Sequence, residues 1–140
     1  MTGQVSRRAP LRLFVYGSLR SDAQPWVRHP AVPFAKLAAA ATCDGPASIA
    51  GRLHAVSWYP ALVPSRHGSR VRGEVWRIAD PAILATLDAF EGEEYVRERR
   101  FVRLEDDRKV TAHLYRYAQP LEGVPLIASG DYVDWIRSRS

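Results

Sequence analysis

Glu91 closes the segment "AILATLDAFE", four residues after Leu87 and seven after Leu84. On a helix, that spacing puts its side chain on or beside the apolar stripe, not opposite it. A carboxylate there also meets the negative end of the helix dipole. Asp88, Glu93 and Glu94 follow or precede it closely and carry the same sign. Partial burial, the dipole and like charge all disfavour ionisation. Each moves the carboxyl toward the range where one group can take and return a proton at neutral pH. The alternative is a solvated helix-end glutamate paired with Arg97 or Arg99. Position alone leaves both readings open.

A second candidate lies in "LFVYGSLRSD", Leu13–Asp22, where a strand pattern stops at Tyr16 and Gly17 and Ser18 follow at once. A glycine here permits φ > 0, so successive N–H groups can converge into a concavity that holds a carboxylate. A plain strand-ending turn fits the same residues. The corner is not a Walker loop, which needs a second glycine and a lysine. Other chemistry finds less support. His29, His54, His67 and His113 show no metal-ligand spacing, so no metal is expected. Ser18 lies in no G-x-S-x-G elbow. Cys43 is the sole cysteine, which excludes an internal disulfide, and an inert buried thiol is expected.

The elements that must position these residues follow from periodicity and caps. Asp80 is a good N-cap, Pro81 suits the first helical position and Gly92 the C′ position, which predicts a helix over Pro81–Glu91. Alternation predicts strands at Leu11–Tyr16, Ser48–Val56 and Val71–Ala79, and a hairpin of Tyr95–Leu104 and Lys109–Ala118 across a polar turn. Alanine content predicts a short helix within Leu37–Cys43, bounded by prolines. Another short helix is expected from Asp131, carrying Val133, Trp135 and Ile136. Many strands, few helices and short turns give an α+β class: a small mixed β-barrel or curled sheet with flanking helices. Residues 1–10 are expected to be a flexible tail, and 11–140 a single domain.

The net charge of +5 is almost all arginine, with Lys36 and Lys109 the only lysines. The charges are scattered. The densest internal group is Arg97, Arg99 and Arg100, and no basic run is interleaved with aromatics, so nucleic acid is not the expected partner. No signal-peptide h-region and no membrane-length apolar run is present, and cysteine is scarce, so a cytoplasmic setting with no membrane contact is expected. Nothing in the sequence speaks to oligomeric state.

Several short motifs occur in a characteristic order: "VYGSLR", "WYPALV" (Trp58–Val63), "VRGEVWRI", "LDAFEGEEYVRERRFV" (Leu87–Val102) and "SGDYVDW" (Ser129–Trp135). Together they resemble the γ-glutamylcyclotransferase-like (AIG2-like) family over Leu11–Trp135. The resemblance implies a cofactor-independent enzyme that cyclises the γ-glutamyl group of a small amine or amino acid derivative to 5-oxoproline. It implies Glu91 as the acid/base group and Tyr16, Gly17, Ser18 and Leu19 as the substrate loop. It also places Tyr95 by the pocket; Tyr115 is a weaker pocket candidate. From position, Arg20 and Arg97 are candidates for a substrate carboxylate, Trp58 is assigned to the core, Tyr59 to core or pocket, and Pro60 to a turn. Glu74 and Asp131 read as structural: a strand pairing and a helix cap. The interval between Glu91 and Tyr95 is short, so substrate-selecting loops do not transfer. A non-catalytic binder of small carboxylates remains the alternative.

Overall fold

The computed structural model describes residues 10–139 apart from 28 and 68. The tail expected over residues 1–10 therefore lies outside the described residues, except for Pro10. Among the described residues six strands form: β1 (Arg12–Val15), β2 (Ala41–Ala55), β3 (Pro60–Pro64), β4 (Arg70–Ile78), β5 (Tyr95–Leu104) and β6 (Lys109–Tyr117). Their order is β3-β2-β4-β1-β6-β5, and β5 pairs back onto β2 at Ala47 and Ser48. That pairing closes a barrel of β2, β4, β1, β6 and β5. The β1–β6 pair is parallel and the others antiparallel, so the barrel is mixed, as expected. Among the described residues three α-helices flank it: α1 (Phe34–Ala40), α2 (Ile83–Glu91) and α3 (Tyr132–Arg137). No helix among the described residues is long and apolar enough to cross a membrane.

β1 is buried on both faces, which explains its apolar run. Phe14 and Tyr16 join Val71, Val75, Val102, Leu114 and the α3 residue Tyr132 in one cluster. Leu13 and Val15 face the other way, against Leu37 of α1 and Ile83 and Leu87 of α2. The strand that leads into the Gly17 corner is thus clamped between two cores.

Several expectations need correction. The alanine run forms α1 at Phe34–Ala40, and Ala41 at once enters β2, where Ala41 pairs with Ile78. Ladder pairing overrides alanine's helix propensity there. β2 is fifteen residues long and irregular in register between Cys43 and Gly45. Cys43 is exposed rather than buried. Pro60 does not fix a turn: it opens the edge strand β3, opposite Ala55, a position where a missing N–H is tolerated. The α2 helix begins at Ile83, two residues late, yet Asp80 still caps its first turn by accepting from the Ala82 N–H at 3.0 Å. Gly92 takes φ 69° and returns its N–H to the Asp88 carbonyl, a conformation that favours glycine. It turns the chain out of α2 into the short 3₁₀ turn Gly92–Glu94, which leads straight into β5.

Candidate active site

The end of β1, the start of β3, the end of α2 and the start of β5 converge on one cavity of about 110 Å³. Glu91 reaches its wall because it lies one helical turn beyond Leu87, which is fully buried. Seven of the residues singled out from the sequence line this cavity: Glu91, Tyr16, Gly17, Ser18, Leu19, Tyr95 and Tyr115.

Glu91 is half-buried, and among the described residues its carboxylate has neither an ion pair nor a hydrogen-bond partner. Burial pushes its pKa up to about 8, and the neighbouring Glu94 charge adds to the rise. The expected crowd of like charges reduces to that one neighbour. Asp88 is engaged elsewhere: Arg97 donates to it at 2.8 Å and the Tyr115 hydroxyl at 2.7 Å. Burial alone would raise the Asp88 carboxyl, but these two donors hold it below its usual value.

The corner after Tyr16 is held from beneath. The Arg20 N–H donates to the Gly17 carbonyl at 3.0 Å, which closes a turn over Gly17–Arg20. The Ser21 N–H donates to buried Glu74 at 2.6 Å, and the Ser21 hydroxyl also donates to Glu74. Arg20 is buried and donates to Asp22 and, at 2.8 Å, to Asp131, which caps α3 through the Val133 and Asp134 N–H groups. Asp131 thus takes the helix-capping part expected of it, and Glu74, which sits opposite Val15 in the expected strand pairing, also holds the corner with its side chain. Arg20 is consumed by the same scaffold, and Arg97 by Asp88, so neither arginine lines the cavity. Among the described residues, no protein acceptor takes the N–H groups of Ser18 or Leu19. Both residues are buried on the cavity wall, so two donors there stay unsatisfied by the protein itself. The nest geometry differs from expectation, because Gly17 does not adopt positive φ. It is a glycine for lack of space.

Three tyrosine protons are fixed by the fold. Tyr16 donates to the Tyr115 carbonyl at 2.6 Å, Tyr95 to the Pro60 carbonyl at 2.7 Å, and Tyr115 to Asp88. Burial raises the pKa of all three, and the nearby Glu91 charge raises it further. With their protons committed, these hydroxyl oxygens keep only acceptor capacity toward anything in the cavity.

The sequence reading did not assign Trp58, Tyr59 or Glu94 to the wall. Trp58, assigned to the core, is half-exposed, lines the cavity and stacks on His29 with ring centroids 4.6 Å apart. Tyr59, left open, lies on the wall, and its hydroxyl donates to both Glu94 oxygens at 3.1 Å. Burial, followed by Glu94, pushes the Tyr59 hydroxyl up to about 12. Glu94 was noticed only as a neighbouring charge. The repeated glutamates of "EGEEY" were the available signal, but which one faces inward depends on the Gly92 turn.

A small closed barrel whose cavity wall carries a half-buried carboxyl without a protein partner defines a class of barrel proteins. The comparisons narrow the class. The family model described as gamma-glutamyl cyclotransferase, AIG2-like, matches residues 13–134. The γ-glutamylcyclotransferase family protein YtfP of Escherichia coli K12 is 36% identical over 128 residues, covering 89% of this chain and 97% of the relative. The solution structure of E. coli ytfP superposes with a TM-score of 0.62 over 89% of this chain and 98% of that one. The crystal structure of a mouse AIG2-like protein, at 22% identity, shares the fold with a TM-score of 0.65 over 87% of this chain and 88% of that one. The chain belongs to the AIG2-like γ-glutamyl cyclotransferase family.

Proposed function

We propose that the protein is an enzyme that cyclises the γ-glutamyl group of a small γ-glutamyl amine or amino acid to 5-oxoproline, releasing the amine. The observation that supports this reading most is a juxtaposition. An unpaired carboxyl with raised pKa and two unsatisfied backbone donors line one small cavity.

The chemistry follows from those parts. The γ-glutamyl α-amine attacks its own γ-carbonyl carbon, so no external nucleophile or cofactor is required. Confinement in the cavity folds the substrate toward that near-attack geometry. Glu91, ionised, accepts a proton from the attacking nitrogen as the new C–N bond forms. The N–H groups of Ser18 and Leu19 stabilise the oxyanion or hold the substrate carboxylate. The original amide C–N bond then breaks, and Glu91 returns the proton to the departing nitrogen. A carboxyl with a pKa near 8 suits both steps, because it is neither too weak a base nor too weak an acid at neutral pH. The oxygens of Tyr16, Tyr95 and Tyr115 accept from the substrate's amine, and the rings of Trp58 and Tyr59 wall the leaving group. We place the reaction in the cytoplasm.

The test is 5-oxoproline release from a panel of γ-glutamyl amines and γ-glutamyl amino acids, followed beside calorimetric binding of the same compounds. Turnover of one class supports the reading. Tight binding without turnover across the panel points to the carboxylate-binding module instead.

A further inference from the structure

A second cavity, about 490 Å³, shares no residue with the first. β5 connects the two. Tyr95 is at the first cavity, and Arg103 at the second lies eight residues on, about 26 Å along an extended strand. Five cations line the second cavity, Arg66, Arg70, Arg100, Arg103 and Lys109, and no carboxylate does. Only Arg100 has an ion-pair partner among the described residues, Glu98; the other four have none.

The cations are held together by the ladder. Arg103 pairs directly with Lys109 on β6, so two like charges stand opposite each other. On its other side Arg103 pairs with Ser48 of β2. The Ser48 hydroxyl and carbonyl accept from the Arg70 guanidinium at 2.8 and 2.9 Å. Burial, and then Arg103 itself, lowers the Arg70 pKa. Like charges set opposite across strands are unfavourable, and an anion in the cavity removes that repulsion. Phe101, 71% exposed, leaves an apolar ring in water on the same wall as these cations.

We propose that this cavity is a binding site for a phosphate-bearing aromatic ligand of mononucleotide size, with its phosphates on the Arg70, Arg103 and Lys109 heads and its ring on Phe101. Guanidinium forks match phosphate geometry, and an aromatic side chain provides a stacking platform for a base. The volume falls within the range of small-ligand sites. A nucleic-acid strand fits less well, because it needs a succession of stacking rings and this wall offers Phe101 alone.

The test uses the full chain and ATP as probe, titrated by calorimetry at low and at physiological ionic strength. Inorganic triphosphate, a single-stranded oligonucleotide and phosphatidylserine vesicles form the other arms. Saturable one-to-one ATP binding is expected, weakening with salt and tighter than triphosphate by about threefold or more. Phe101→Ala should lower ATP affinity to that of triphosphate and leave triphosphate binding unchanged. Arg103→Gln should weaken both by about tenfold. Arg103→Gln should also melt no lower than wild type without ligand, since it relieves repulsion, so lost binding cannot be ascribed to unfolding. Absence of ATP binding at low salt overturns the proposal. So does equal binding of ATP and triphosphate with Phe101→Ala silent, and so does a clear preference for the oligonucleotide or the vesicles.

Discussion

Gly17 and Pro60 touch so closely that a Cβ on residue 17 would lie 2.8 Å from the Pro60 Cγ and 2.9 Å from its Cδ. This contact sets the separation between the corner after β1 and the first residue of β3, both of which line the candidate site. Gly17→Ala must push one of them away. A stability loss of about 1–3 kcal/mol is expected from such overpacking, with substrate KM rising as the Ser18 and Leu19 amides move. Denaturant unfolding and steady-state kinetics check the two parts separately.

Glu94 contributes to the raised pKa of Glu91, behind burial. The pH profile of kcat/KM should therefore rise along a limb with a midpoint near 8, as Glu91 ionises to act as base. Glu94→Gln removes the like charge and keeps an oxygen for Tyr59 to donate to. The midpoint should fall by roughly 0.5–1 pH unit. A limb that stays in place shows that Glu94 does not act on the titrating group.

The same raised pKa affects stability. The folded protein holds the Glu91 proton more tightly than the unfolded chain, so stability declines as pH rises from about 4.5 to about 8 and the cost is fully present above that. At about 1.4 kcal/mol per pH unit, the upper bound on that cost is about 5 kcal/mol. Glu91→Gln should melt higher than wild type at alkaline pH and nearly the same at acidic pH. Thermal melts across the range read this directly.

Arg20 reaches no part of the cavity, yet its ion pair with Asp131 ties the corner to the start of α3. Only 8% of the Arg20 side chain and 13% of the Asp131 side chain are exposed. Arg20→Ala should cost about 2–4 kcal/mol by leaving a carboxylate buried without its cation. Chemical denaturation measures the loss. A change under 1 kcal/mol, at the level of about one surface pair, contradicts this account of the corner.

Much of the barrel was legible because its strands alternate and its second helix carries its own caps: Asp80, Pro81 and Gly92 fix that helix within two residues. The partners of β1 were not legible. That β1 lies parallel to β6 and antiparallel to β4 is a long-range choice that no local pattern records. β3 was lost because Pro60 and Pro64 look like breakers, and they are tolerated only because β3 is an edge strand. At the site, residue types and family motifs together found seven of the fourteen wall residues. Their roles were less readable. Gly17 looked like a residue needed for φ > 0, and Pro60 is its reason instead. Arg20 and Arg97 looked available to a substrate, and both are taken by carboxylates: Arg20 by Asp22 and by Asp131 at the start of α3, Arg97 by Asp88 on α2.

The most direct test of the central claim compares 5-oxoproline release by wild type and Glu91→Gln on the best γ-glutamyl substrate at pH 8. Circular dichroism and melting curves establish that both proteins are folded. If Glu91 moves the proton, the variant should lose about 10²-fold or more in kcat, while its melting temperature is equal or higher. A folded variant that releases 5-oxoproline at the wild-type rate contradicts the claim.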